Sequence, residues 1–254
     1  MGMRDVGLSP GEVRIGTSGW SYDHWRGHLY PPGTSSAKRL DVYTAEFDTV
    51  ELNTSFYHWP RASAFRSWQA RLPPGFRMTV KAPRGLTHAG ARLDPARWTD
   101  RLADGMAALA EHAGPLLLQL PPDVQRDDDH LASLLAAMPT GRAVAVELRH
   151  PTWVDDAVFS LVEAHGAAYC VLSGARMPCE LRATSDLVYV RFHGPDPERL
   201  YVGGYDDAAI SWWADRIGEW TASGHAVLCY FNNDGDGHAV HDARRLAARV
   251  AAEG

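Results

Sequence analysis

Residues 144–149 read VAVELR and residues 188–193 read VYVRFH. Side chains on a strand alternate between its two faces. The first stretch therefore sets Val144, Val146 and Leu148 on one face and Ala145, Glu147 and Arg149 on the other. The second opposes Val188, Val190 and Phe192 to Tyr189, Arg191 and His193. Three further runs repeat the pattern. In 49–53, Val50 and Leu52 oppose Thr49, Glu51 and Asn53. In 77–81, Met78 and Val80 oppose Thr79 and Lys81. In 116–120, Leu116, Leu118 and Leu120 oppose Leu117 and Gln119. Parallel strands buried on both sides ordinarily stay apolar throughout. Here one face is greasy and the other becomes polar or charged toward its C-terminal end.

Eight short apolar runs recur: Val13–Thr17, Thr49–Asn53, Arg77–Lys81, Leu116–Leu120, Val144–Leu148, Ala168–Leu172, Val188–Phe192 and Val227–Phe231. Amphipathic stretches lie between them at 37–47, 64–72, 95–112, 129–138, 155–165 and 208–221, and another at 239–252 closes the chain. Asp94 before Pro95 predicts an N-cap, Asp155 and Asp156 suit a helix start, and Gly114, Gly141, Gly166 and Gly224 fall where a left-handed C-cap is useful. Only 173–186 lacks a helical pattern. Alternating β and α units imply parallel strands with right-handed crossovers. Eight such units predict a single α/β domain, a (βα)8 TIM barrel with outer helices over residues 12–254, preceded by a tail at 1–11.

Composition fits this reading. The 254 residues are 45% hydrophobic and 22% charged, an ordinary globular balance. No run reaches the ~20 apolar residues of a membrane helix, and the opening residues lack the apolar core of a signal peptide. Three cysteines, Cys170, Cys179 and Cys229, are too few and wrongly spaced for a disulfide framework or a cysteine zinc site. A cytoplasmic location is expected, with no membrane partner. The net charge of −6 argues against nucleic acid. Oligomeric state is not legible.

The strand ends also form longer motifs: GTSGWSYDHW (16–25), TVELNTSFYHWP (49–60), VKAPRGLTH (80–88), LLLQLPP (116–122), VELRHPTW (146–153), YVRFHG (189–194) and YFNNDGDGHA (230–239). Together they closely resemble the YecE-like family, domain of unknown function 72, from about Ile15 to about Leu246. The resemblance implies a TIM barrel and no assigned reaction. It marks Trp20, Glu51, Asn53, Lys81, Gln119, Glu147, Arg149, His150, Arg191, His193, Asn232 and Asn233. Where the family often carries Asn, this chain has Asp242, so the resemblance gives that side chain no role.

Charges buried without partners cost several kcal/mol each. Glu51, Lys81, Glu147, Arg149 and Arg191 therefore pair with one another, meet water or meet a ligand, and the C-terminal strand ends are where barrels bind ligands. Glu51 and Glu147 are the predicted acid–base pair, with His193 as a possible third catalytic group. Lys81, Arg149 and Arg191 form a predicted anion clamp. Trp20, Asn53, Gln119, Tyr230, Asn232 and Asn233 complete the predicted substrate contacts. Gly194, Gly235 and Gly237, in the loops after strands 7 and 8, would let a phosphate approach the backbone, although Asp234 and Asp236 would repel it. The aromatics of the first two loops, Trp20, Tyr22, Trp25, Phe56, Tyr57 and Trp59, either stack on a ligand or pack as a lid.

No cofactor is predicted. A divalent metal would need Glu51, Glu147, His193, His150 or His238, which show no HxH or HxxxH spacing and stand beside cations. The expected function is an enzyme acting by acid–base chemistry on a small polar, anionic or sugar-like molecule. The alternatives are a metal-assisted phosphodiester hydrolase and a non-catalytic binding or sensor protein.

Overall fold

A computed structural model describes residues 7–88 and 95–253. The apolar runs become β1 (Val13–Thr17), β2 (Thr49–Leu52), β3 (Arg77–Lys81), β4 (Ala113–Gln119), β5 (Val144–Glu147), β6 (Ala168–Ser173), β7 (Leu187–Phe192) and β8 (Ala226–Phe231). All ladders are parallel, and the sheet runs β1-β8-β7-β6-β5-β4-β3-β2. A parallel bridge between Ser18 and Glu51 joins its two ends, so the sheet curls into a nearly closed barrel.

Around it lie α1 (Arg39–Thr44), α2 (Ala62–Gln69), a single turn α3 (Arg84–Thr87), α4 (Ala96–Ala108), α5 (Asp128–Ala136), α6 (Asp156–Ala164), α7 (Asp207–Ala222) and α8 (His238–Glu253). Between β6 and β7 there is no helix, as the sequence predicts. Asp127, Asp155 and Asp206 cap α5, α6 and α7, each accepting a backbone N–H of the first turn. The predicted cap Asp94 lies outside the described residues. Gly141, Gly166 and Gly224 take positive φ as C-caps should, but Gly114 does not. It lies inside β4, because α4 gives way to a 3-10 turn at Ala110–His112 and the strand starts at Ala113. Among the described residues no helix is long and apolar enough to cross a membrane.

The greasy face of every strand packs outward against the helices, where Val144, Val146, Leu148, Val188, Val190 and Phe192 are all buried. Each such Val or Leu contributes roughly 1.5–3 kcal/mol. The lumen holds a separate cluster, with Ala145, Ala168 and Cys170 leaving room for Tyr189 and Tyr230. Their rings meet with centroids 5.3 Å apart. The Tyr230 hydroxyl bonds both Thr49 Oγ1 at 2.7 Å and Thr79 Oγ1 at 2.9 Å, so this layer is closed.

The β1–β2 seam is held by a side chain. Gly16 brings the strands so close that a Cβ there would lie 2.4 Å from the Thr49 carbonyl oxygen. The Tyr43 hydroxyl, from α1, accepts the Thr17 backbone N–H at 3.0 Å and donates to the Thr49 carbonyl at 2.9 Å. It replaces a ladder bond between two strands that would otherwise leave buried polar groups unpaired.

Candidate functional site at the barrel mouth

Directly above the tyrosine layer the inward side chains turn ionic. Arg191 projects from β7 into the axis and clamps Glu51 of β2, with Nε 2.9 Å from Oε2 and Nη2 2.6 Å from Oε1. Its Nη1 lies 2.5 Å from Glu147 Oε2, on β5. Ser18 Oγ donates to Glu51 Oε1 at 2.5 Å and the Tyr189 hydroxyl donates to Oε2 at 2.6 Å. Glu51 thus accepts from four donor atoms. Glu147 Oε1 accepts from Arg149 Nε. Burial pushes the Glu147 carboxyl up, but the Arg149 and Arg191 guanidiniums outweigh it and hold the group well below the ordinary carboxylate value. Arg191 moves the other way, far above its usual value, because the two glutamates overcome its own burial.

Both glutamates of the predicted acid–base pair are thus held by guanidinium. Glu51 is completely buried, each of its oxygens accepting two hydrogen bonds, and Glu147 is locked as an anion. Arg191 is equally buried and fully spent, so the anion clamp reduces to Lys81 and Arg149. Tyr230 lies in the layer beneath, its hydroxyl taken up by Thr49 and Thr79. Asn233 turns outward, its Nδ2 donating to the Gly203 carbonyl at 2.8 Å and Asp242 Oδ2 at 2.9 Å. In the loops after β7 and β8, two of the three glycines expected to face a phosphate have near neighbours. The Gly194 N–H donates to the Tyr205 hydroxyl at 3.2 Å, and Gly237 makes room for the His28 ring.

Lys81, Gln119, Arg149 and Asn232 keep 6–9% of their surface exposed at the mouth, whereas Glu51, Glu147, Arg191 and His193 keep none. Asn53 is partly exposed beside them. Among the described residues neither the Lys81 ammonium nor the Gln119 or Asn53 amide has a hydrogen-bond partner, and Lys81 has no carboxylate within 4.0 Å. Its Nζ instead sits over the Phe56 ring, 4.3 Å from the centroid. Burial, and next the charge of Arg191, lower this amine from 10.5 to about 7, although Glu147 and Glu51 pull it upward.

Asn232 Nδ2 is 3.3 Å from His193 Nδ1. With the amide donating, the imidazole proton sits on Nε2. Burial and Arg191 hold this histidine well below its ordinary pKa, so it stays neutral. The buried Nε2–H has no acceptor, the nearest carboxylate oxygen being Glu147 Oε1 at 3.8 Å. An orphaned donor of this kind costs about 1–3 kcal/mol until something accepts from it.

Sequence reasoning missed Tyr201, whose hydroxyl accepts from Arg149 Nη1 at 3.3 Å while its ring packs edge-on to His193, 5.4 Å between centroids. It holds a φ of 69°, a left-handed conformation that a tyrosine seldom adopts, in a loop folded back so that Tyr201 N–H donates to the His193 carbonyl. The only sequence signal is the neighbouring Gly203–Gly204 pair. Asp242 was also undervalued. Buried, it accepts from the Tyr205 N–H at 3.0 Å, Asn233 Nδ2 and Arg245 Nη1, pinning the loops after β7 and β8. Of the loop aromatics, Trp25 is buried, Trp20 packs edge-on to Trp68 at 5.9 Å and Trp59 packs on Phe65 at 5.3 Å, while Tyr57 is exposed. His150 turns away to bond Thr152 Oγ1. Among the described residues no three His, Cys, Asp or Glu side chains are grouped to hold a metal ion.

The family model described as protein of unknown function DUF72 matches residues 14–254. The UPF0759 protein YunF of Bacillus subtilis is 27% identical, over 92% of this chain and 93% of its own. The UPF0759 protein YecE of Escherichia coli K12 is 29% identical over 55% of this chain and 49% of its own. A crystal structure of a DUF72 family protein from Thermotoga maritima superposes with a TM-score of 0.86 at 25% identity, covering 94% of this chain and 99% of that one.

Proposed function

The chain belongs to the DUF72 family, and we propose that it is a cytoplasmic enzyme that performs proton-transfer chemistry on a small anionic molecule at the C-terminal mouth of its barrel. One observation carries the reading. The two inward carboxylates, Glu51 and Glu147, are engaged by guanidinium, while the inward polar groups left over are mainly donors: Lys81 Nζ, the outer edge of Arg149, the amides of Gln119 and Asn53, and His193 Nε2–H. A ligand that satisfies them brings acceptor oxygens, as a carboxylate, a phosphate ester or an acidic sugar does.

The roles follow from position. Arg149, braced by Glu147 and Tyr201, presents its free guanidinium edge to the anion. Gln119 and Asn53 orient the rest of the molecule. His193 donates to an oxygen on which negative charge develops. Lys81 exchanges a proton near neutral pH, where a general base is most effective. The Glu51–Arg191–Glu147 layer underneath is a rigid electrostatic floor, which keeps the donors from collapsing inward.

Titration calorimetry with a panel of small carboxylates, phosphate esters and matching neutral polyols tests this reading. Anions bind to the wild type and bind at least about tenfold more weakly to Arg149→Met, a loss of about 1.4 kcal/mol. Equal binding of anions and neutral polyols, or no loss in the variant, contradicts it. Anion binding without turnover of any panel member moves the protein to the non-catalytic sensor class.

A further inference from the structure

Of the 25 basic side chains in the whole chain only two are lysines, Lys38 and Lys81. Arginine otherwise carries every positive charge, including those at the mouth. Lys38 is an exposed residue of the 3-10 turn Ser36–Lys38, where either cation would serve. Lys81 ends β3 inside the barrel mouth. The two side chains differ in one chemical respect that matters there: a lysine can lose its proton and present a nucleophilic lone pair, and an arginine cannot.

The surroundings keep that lone pair available. No carboxylate among the described residues reaches the amine, and its neighbours Arg149 and Arg191 repel its positive charge. The Phe56 ring covers one side of the nitrogen, and the residue keeps 6% of its surface exposed. A carbonyl group held by the donors of the site, with its oxygen toward His193 Nε2–H or the Gln119 amide, would be polarised beside the amine. These are the requirements for covalent catalysis by a desolvated lysine flanked by cations.

We propose that Lys81 is the nucleophile of this site and that its substrate class is a small anionic aldehyde or ketone, bound by Arg149 and captured as an imine. This rests on the reading of the mouth as an anion site. The amine nitrogen forms a bond to the carbonyl carbon as the C–O π pair moves onto oxygen. Both amine hydrogens then leave with that oxygen as water, giving the carbon–nitrogen double bond. No oxidant or second substrate is consumed. The imine so formed withdraws electrons from the adjacent carbon, whose acidity is what proton-transfer chemistry exploits.

Lys38 serves as an internal control in the same molecule. The full chain is incubated with pyridoxal 5′-phosphate, a small anionic aldehyde, reduced with sodium borohydride, and mapped by proteolysis and mass spectrometry. The proposal expects the reduced adduct on Lys81, forming at pH 7 at least about tenfold faster than on Lys38, since about half of an amine with a pKa near 7 is neutral there. Excess inorganic phosphate should slow the Lys81 reaction and leave Lys38 unaffected. Lys81→Arg should abolish the fast adduct. Labelling of Lys38 or the amino terminus alone, or equal rates at both lysines, overturns the proposal. If no imine forms but small anions still bind through Arg149, the covalent step fails and the anion site survives. If neither occurs, both readings fail together.

Discussion

Arg191 holds Glu51 by two parallel hydrogen bonds, 2.9 and 2.6 Å long, at the centre of the barrel, where neither side chain is exposed at all. The same guanidinium then reaches across to Glu147 with its remaining nitrogen. A bidentate arginine–carboxylate pair fixes orientation as well as charge, so strands β2, β7 and β5 are tied together through a single side chain. The charged strand ends are therefore two layers: a locked ionic floor, and above it a rim of donors.

Replacing Glu147 by Gln opens that floor. The amide oxygen can serve one guanidinium, but the amide hydrogens then face the other. Breaking a buried pair by removing one partner costs about 3–5 kcal/mol, so urea unfolding of Glu147→Gln should show a loss of that size at pH 7. The pH dependence has a definite sign. The folded-state pKa of Glu147 is depressed, so its contribution is fully present above about 4.5 and is lost as pH falls through the folded value. The variant should accordingly lose less stability on acidification than the wild type.

Lys81→Met should do the opposite. The lysine carries a depressed folded pKa, so the unfolded chain binds more protons between about 7 and 10.5, and wild-type stability rises with pH across that window. The gap corresponds to at most roughly 5 kcal/mol of buried-charge cost, fully present below pH 7. Lys81→Met should be more stable than the wild type at pH 6, by an amount that shrinks toward pH 10, in parallel denaturation curves. A constant difference would mean that the amine is not desolvated.

Tyr43→Phe tests the seam. The variant leaves the Thr17 N–H and the Thr49 carbonyl without their shared hydroxyl, at about 1–3 kcal/mol for a buried unsatisfied group. Hydrogen exchange at the Thr17 amide should accelerate more than at amides of β5.

Asp242→Ala removes the acceptor that joins the Tyr205 N–H, Asn233 and Arg245, and should cost about 2–4 kcal/mol, with charge-assisted bonds at the upper end. Asp242→Asn keeps one acceptor oxygen and should recover part of the loss. Both are read by urea denaturation.

The barrel was legible because strand periodicity survives in every unit, and VAVELR and VYVRFH name their outward and inward faces without ambiguity. The ionic strand ends were legible for the same reason. Which charges would be spent was not. Arg191 and Arg149 both stand on the inward faces of their strands, yet Arg191 is sealed by both glutamates while Arg149 keeps an open edge, and that depends on strand stagger and on partners 44 and 140 positions away in the chain. Asn232 and Asn233 are adjacent, and only the pleat turns one toward His193 and the other toward Asp242. Gly114 misled because a glycine inside a close-packed strand and one capping a helix look alike in sequence. Tyr201 gave no signal beyond the neighbouring glycines, since its place beside His193 comes from a loop folding back.

The account turns on the Lys81 amine, and two lysines make it directly observable. With lysine isotopically labelled at Cε, the full chain gives two side-chain resonances, assigned by Lys38→Arg. The account predicts that the Lys81 resonance titrates with a midpoint near 7, and that inorganic phosphate shifts this resonance. A Lys81 resonance that stays protonated up to the ordinary lysine range and is indifferent to anions would contradict it.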